Sequence, residues 1–359
     1  MYKKIMFICL LIFCLSCNKI FEPEAPEKIF EKYKSSVVLI ASQYYFEVYT
    51  DGATYYYSPG TEKKLFFSKD EVIKNLSFST GTGFVISEKG EIITNNHVVN
   101  QKDENFKVEL ANFYNKAKVD LANNIRKYND TIDQIKTTYN QYSDQMSYEE
   151  KEKFEKRYDF VRDEKSFLIE MYKSIDNFNL NNANSKLVIH KLGIAYNDTH
   201  VTEFDDMQEC VVVKLSDKEN VDLALIQTKN KTFNTKPNNI FNFKDNNPNF
   251  IENPDKTKVR NIKNPVKINE EVFMIGFNRG FSLANTKQGI KSQFTSGKVS
   301  QENDGERILY TIPTLEGSSG SPIVDKWGNL VGVNFAKMTN SQSFSFAVPV
   351  YELKKFYEE

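Results

Sequence analysis

Residues 317–323 read Gly317-Ser318-Ser319-Gly320-Ser321-Pro322-Ile323, and a strand-like stretch, Trp327-Gly328-Asn329-Leu330-Val331-Gly332-Val333, follows at once. A serine set between glycines on a turn is held where its hydroxyl is presented, because glycine accepts backbone shapes that other residues resist. A hydroxyl alone is a poor nucleophile. It needs a base to take its proton, an acid to orient that base, and backbone donors for the oxyanion that forms. Two other stretches offer the missing groups. Gly81-Thr82-Gly83-Phe84-Val85-Ile86 leads through a turn into Ile93-Thr94-Asn95-Asn96-His97-Val98-Val99, which sets an imidazole at a strand end. Val221-Asp222-Leu223-Ala224-Leu225-Ile226 brings one carboxylate into an otherwise apolar strand. Each stretch alone is an ordinary turn, cap or strand; the three together, in the order His, Asp, Ser, point to nucleophilic catalysis. His190 and His200 have no such surroundings and read as structural or solvated.

Around these stretches the chain reads mostly as β. Residues 35–43, 82–87 and 91–94 are short, apolar and β-branched. Strand signals return at 186–190, 209–214 and 221–226, then at 271–276, 292–300, 307–312, 322–325, 329–335 and 343–349, spaced as in a barrel or sandwich. Residues 44–80, rich in Tyr and Phe, read as a long hairpin or loop excursion. A short helix is expected from Tyr351.

One region breaks the pattern. Between Gly90 and Gly193 there is neither Gly nor Pro. Leu110, Phe113, Ala117, Leu121, Ile125, Tyr128, Ile132, Ile135, Tyr139, Tyr142 and Met146 recur there at spacings of three or four, the signature of one helix face. Ser147 and Glu150 form a capping-box pattern, and Phe154, Tyr158, Val161, Leu168, Met171 and Ile175 line a second helix. An antiparallel helical hairpin over about 109–178 is expected, inserted into the β framework.

Composition narrows the function classes. With 47 Lys+Arg against 48 Asp+Glu and no extended basic block, nucleic acid is not an expected partner. The 40% of hydrophobic residues suffices for a folded core. Three of the four cysteines fall in the first 17 residues, so no disulfide framework is implied. Lys3 and Lys4 followed by the apolar run Ile5–Leu15 make a secretory signal, since spanning a bilayer takes about 20 residues. The run ends in Leu15-Ser16-Cys17-Asn18, which resembles a bacterial lipobox with Cys14 in place of the usual Leu. That resemblance implies lipidation at Cys17, a membrane anchor and a place in the bacterial cell envelope; the alternative is an ordinary signal cut nearby. Residues 18–34 then read as tether and lead-in. Cys210, in Glu209-Cys210-Val211-Val212-Val213, is expected to be a buried, unpaired thiol.

The three chemical stretches resemble the trypsin-like serine peptidases. Gly81–Ile86, Thr94–Val99 and Asp222–Ile226 are similar to the HtrA/Deg branch, while Gly317–Pro322 is nearer the glutamyl endopeptidases. The resemblance covers about 35–105, 186–228 and 264–355. It implies a mainly β fold of two six-stranded antiparallel barrels, an N-terminal one over 35–235 carrying the hairpin, a linker or loop over 236–262, and a C-terminal one over 263–359. It implies His97 as base, Asp222 as its orienter, Ser319 as nucleophile, and the N–H groups of Gly317 and Ser319 as the oxyanion hole. Protein or peptide substrates would bind near Thr314, Asn334, Phe335 and Ala336, pairing with the edge strand there. No cofactor and no metal are implied. No PDZ domain is expected after the second barrel.

Departures from the family pattern bear on specificity. Pro313 stands where trypsin-type enzymes place an acid, so cleavage after Lys or Arg is not expected. Thr314 fits the glutamyl pattern, but Asn334 stands where that group has a histidine. Phe335, Phe344 and Phe346 suggest an uncharged residue before the cleaved bond. A rival class is a silent or latent protease-fold scaffold that works through its helical hairpin with a partner protein.

Overall fold

The structure, a computed structural model, describes residues 23–243 and 266–359 except 24, 51–52, 63, 104, 177–178, 219, 303 and 338–343. The expected signal segment, Cys17 and most of the expected linker lie outside the described residues. The chain divides into two compact units: one takes the chain up to Gln43, Phe78–Gln101 and Lys191–Glu359, and the other takes Tyr44–Ser77 and Lys102–His190.

The first unit is built on antiparallel sheets. Its first sheet uses β1 (Val37–Thr50), β4 (Ser77–Val85), β5 (Glu91–Thr94), β6 (Asn184–Tyr196), β7 (Gln208–Leu215) and β8 (Ala224–Thr228); β2 (Ala53–Tyr57) and β3 (Leu65–Phe66) belong to the second unit. Within it β1, β4, β5, β8, β7 and β6 stand in that order, and an added β1–β6 pairing closes these six into a barrel. The second sheet uses β9 (Glu271–Gly276), β12 (Gln293–Lys298), β13 (Ile308–Tyr310), β14 (Pro322–Asp325), β15 (Leu330–Lys337) and β16 (Ser345–Pro349), in the order 12-9-14-15-16-13. β10 (Asn285–Thr286) and β11 (Gly289–Ile290) form a separate small hairpin. Among the described residues the two ends of the six-stranded sheet meet only at an isolated antiparallel bridge, Val299 with Tyr310, so it is a half-barrel. The fold class is therefore the expected one: mainly β, with two six-stranded antiparallel barrels, of which the first is closed and the second a half-barrel, and a helical insertion.

One apolar cluster joins both sheets. Val37, Leu39, Phe84, Ile93 and Leu225 from the first pack with Phe273, Ile275, Val324, Val333 and Val348 from the second. Helix α1 (Pro26–Tyr33) contributes Ile29 and Tyr33 to this cluster, and a helix over Val350–Glu358 contributes Leu353 and Phe356. The Asn- and Pro-rich segment after β8, read from sequence as linker, also enters it. Phe241 and Phe243 are fully buried although their segment has no regular structure. Phe241 N–H donates to Val85 O at 3.0 Å, and its ring stacks on Tyr33 with centroids 4.4 Å apart. Two isolated aromatics carry no periodicity, so only the three-dimensional packing reveals them.

The second unit holds the long helices. The run of β1 from Tyr44 pairs with β2, Phe46 opposite Tyr57 and Val48 opposite Tyr55, so part of the expected loop excursion is a regular hairpin. A short helix, α2 (Lys69–Ile73), begins at Ser68, whose hydroxyl accepts from Glu71 N–H. Helix α4 (Phe106–Tyr142, 37 residues) and helix α5 (Tyr148–Asp176, 29 residues) form the hairpin; α3 (Asn96–Val99) precedes them in the first unit. Ser147 caps α5 as expected: Glu150 N–H donates to Ser147 Oγ at 3.3 Å, and Ser147 N–H donates to Glu150 Oε2 at 2.8 Å. Ile132, Ile135 and Val161 form the buried seam between the helices. Tyr142 and Met171, expected on the inner faces, are instead 45% and 41% exposed. Tyr142 ends α4. At the level of Met171, the neighbouring Tyr172 faces α4, with the Lys118 ammonium 5.3 Å from its ring.

Candidate active site

His97 does not end a strand; it sits in α3, a single helical turn immediately after β5. Register explains how Asp222 reaches it. β5 pairs with β8 so that Thr94 faces Ala224 and Ile93 faces Leu225, which sets the residues after Thr94 beside those before Ala224. Asp222 lies in that short lead-in, with Val221 and Leu223 buried on either side. The two connections are stitched together. Buried Asn95 donates its side-chain amide to Asp222 O at 2.7 Å, and Asn96 donates to Ser216 O at 3.1 Å.

The Asp222 carboxylate accepts twice from one residue. Oδ1 accepts the His97 backbone N–H at 3.0 Å, and Oδ2 lies 2.5 Å from Nδ1 of the ring. Against a carboxylate, Nδ1 carries the hydrogen, which leaves Nε2 with a lone pair. The Asp222 side chain is 21% exposed and the His97 side chain 49%, so the acid is sheltered while the imidazole is open to a reactant. Geometry alone therefore gives an oriented base.

Ser319 lies half-buried on the turn before β14. Four successive carbonyls of this loop are tied. Glu316 O accepts from Arg279 N–H at 2.5 Å, Gly317 O from the Thr82 hydroxyl at 2.8 Å, and Ser319 O from Thr82 N–H at 2.8 Å. Ser318 O accepts both Ser321 N–H at 3.1 Å and the Asn334 side-chain amide at 2.8 Å. A trans peptide points its N–H opposite to its C=O. Tying the carbonyls of 316 and 318 thus turns the N–H groups of Gly317 and Ser319 the other way. Neither of those two N–H groups has an acceptor among the described residues, whereas those of Ser318, Gly320 and Ser321 all do.

Gly317 has to be glycine here. Its φ is +92°, and a Cβ would stand 2.5 Å from both Gly280 N and Phe277 O. The loop is also held by Leu315 N–H donating to Asn278 Oδ1 at 3.1 Å.

No hydrogen bond joins Ser319 Oγ to His97 among the described residues; what brings their segments together is Thr82. Its N–H holds Ser319 O, and its own carbonyl accepts from the Thr94 hydroxyl at 2.7 Å, three residues before His97. Such contacts are often loose before substrate binds.

Of the residues expected to meet substrate, two turn inward. Asn334 is 2% exposed, and besides its bond to Ser318 O its Oδ1 accepts from the Tyr310 hydroxyl at 2.5 Å. Thr314 is 8% exposed, and its hydroxyl shares a hydrogen bond with Ser345 Oγ at 2.7 Å. Phe335 is partly buried against Phe346, centroids 6.2 Å apart. Ala336 pairs with Phe346 across β15–β16. On its other side β15 is paired with β14 only as far as Val333, opposite Pro322, with Asn334 tied to Gly320 and Ser321 beyond it. The backbone after Asn334 therefore has no strand partner on that side among the described residues.

A family model of the trypsin-like peptidase domain matches residues 183–333. That span holds Asp222 and Ser319 and leaves out His97. No curated protein matches the chain. Among solved structures, a crystal structure of the serine endoprotease from Yersinia pestis matches at 14% identity and a TM-score of 0.44, over 94% of this chain. This chain spans 66% of that protein's length. Sequence reasoning missed two residues of the site, Thr82 as a tie and Arg279, whose backbone N–H donates to Glu316 O. Thr82 was visible as part of the Gly81–Ile86 stretch, but nothing in sequence marks Arg279.

Proposed function

We propose that this chain is an exported serine endopeptidase that hydrolyses peptide bonds in protein substrates through an acyl-enzyme. The observation that carries this reading is an imidazole oriented by Asp222 together with a serine turn whose Gly317 and Ser319 N–H groups have no acceptor among the described residues. Nε2 of His97 takes the proton of Ser319 Oγ as the oxygen attacks the scissile carbonyl carbon. The carbonyl oxygen gains charge and is received by the N–H groups of Gly317 and Ser319. Asp222 stabilises the imidazolium, which returns the proton to the departing amine. Water, activated by the same imidazole, then breaks the ester and restores Ser319.

The open backbone of β15 after Asn334 supports substrate binding as an added strand, with main-chain bonds fixing register near Phe335 and Ala336. Inward-facing Asn334 argues against a pocket for glutamate like that of the glutamyl endopeptidases. The signal-like segment and the residues around Cys17 support export and a lipid anchor in the cell envelope. A partner protein at the helical hairpin is a further part of the reading, favoured by Tyr148, Phe160 and Phe167, which are 82%, 64% and 60% exposed.

The test is degradation of an unfolded protein such as casein by the purified full chain, beside Ser319→Ala and His97→Ala. Cleavage by the parent alone is expected. Equal cleavage by all three, or none by a folded parent, would leave the scaffold role as the better reading.

A further inference from the structure

Thr82 is fully buried, and its hydroxyl uses both of its functions. It donates to Gly317 O at 2.8 Å and accepts Phe277 N–H at 3.0 Å. Gly317 O has no other donor among the described residues, and Phe277 N–H has no other acceptor. The hydroxyl therefore clamps the oxyanion loop to the end of β9. The threonine backbone adds the ties to Ser319 O and to the Thr94 hydroxyl.

A glycine at φ +92° is otherwise the easiest residue in the loop to rotate. Two ties fix it: Arg279 N–H on the carbonyl before it, and the Thr82 hydroxyl on its own carbonyl. The first comes from the backbone, survives most substitutions and sets the peptide that carries the Gly317 N–H; the second sets the next peptide and is the side-chain contribution to fixing the chain between the two oxyanion donors.

We infer that Thr82 is a positioning residue for the oxyanion loop, its side-chain hydroxyl fixing the 317–318 peptide, which lies between the two peptides that carry the Gly317 and Ser319 N–H groups. This rests on the endopeptidase reading for its catalytic consequence and on geometry alone for its structural one. Thr82→Val keeps the shape and removes the hydroxyl, Thr82→Ser keeps the hydroxyl, and Thr228→Val serves as control. Thr228 is equally buried, and its hydroxyl holds Thr232 O at 2.8 Å, so its loss weakens the same barrel without touching the loop.

Two readouts are taken on each full-length protein: kcat and KM on a peptide substrate, and hydrogen exchange of the 314–320 segment by mass spectrometry. Thr82→Val lowers kcat about 100-fold with KM nearly unchanged, because the donor is misplaced rather than the substrate site lost. Exchange in 314–320 speeds up in that variant alone. Thr82→Ser stays within about threefold of the parent in kcat. Thr228→Val lowers the melting temperature without the loss of kcat or the faster exchange. The inference is overturned if Thr82→Val matches the parent in kcat, or if Thr82→Ser is as impaired as Thr82→Val. It is equally overturned if exchange in 314–320 is the same in all four proteins. Should Thr82→Val not fold, the Ser variant decides: loss of kcat there overturns the inference, and its retention beside an inactive Thr82→Ala upholds it. A parent with no activity but with the exchange difference intact would sink the endopeptidase reading and leave the loop clamp standing.

Discussion

Replacing Asp222 by asparagine tests the imidazole geometry without removing an atom of bulk. In the parent, one carboxylate oxygen lies 2.5 Å from His97 Nδ1 and the other accepts the His97 backbone N–H at 3.0 Å. In Asp222→Asn the new amide oxygen keeps the backbone bond, which places the amide nitrogen against Nδ1. An NH2 group facing Nδ1 donates to it, so the ring hydrogen moves to Nε2, the atom proposed to accept the proton of Ser319. Loss of the correct tautomer in a Ser-His-Asp site costs about 10⁴-fold in kcat. At about 1.36 kcal/mol per tenfold, that is about 5.4 kcal/mol of transition-state stabilisation. The fold loses far less, because both bonds have an amide equivalent and the site is partly solvated. The assay is kcat/KM on a peptide substrate at pH 7.5, with circular dichroism and a melting curve for the same protein. A loss of less than about tenfold in a folded variant would refute the assignment of Nε2 as proton acceptor.

Two further outcomes follow from the structure. Gly317→Ala places a methyl group 2.5 Å from Gly280 N and Phe277 O at a φ of +92°. It lowers stability by about 1–3 kcal/mol in urea unfolding and abolishes turnover, and an unchanged midpoint would contradict that packing. Burial pushes the Cys210 thiol up to about 12, so in the native protein it resists iodoacetamide at pH 8 and is modified only after denaturation. Peptide mapping that finds native Cys210 fully alkylated would contradict its burial.

The fold was legible wherever a signal is local. Helix spacing from Leu110 onward, unbroken by Gly or Pro, announced the hairpin, and Ser147 with Glu150 announced its second start. Strand patterns around Phe84, Ile93, Met274 and Val333 matched their burial. The aromatic stretch after Gln43 read as a loop because alternation fails where both faces of β1 carry Tyr and Phe. Phe241 and Phe243 were invisible because a core position supplied by an irregular segment has no period. Within the candidate site, the stretches that meet, such as those bearing His97 and Asp222, were legible, while the ties were not. Thr82 to Gly317 and Asn334 to Ser318 are hydrogen bonds between distant stretches, and nothing local in sequence announces them. Asn334 shows this best: its position suggested contact with substrate, and its amide is spent inside the loop.

The most direct measurement is covalent. The full-length protein is treated with a fluorophosphonate, and the modified residue is located by peptide mass spectrometry. One phosphonate per chain, on the peptide bearing Ser319 and absent from Ser319→Ala and strongly slowed in His97→Ala, is the predicted result. A folded parent that takes no label, or takes it at another serine, would contradict the claim that His97, Asp222 and Ser319 act as one unit.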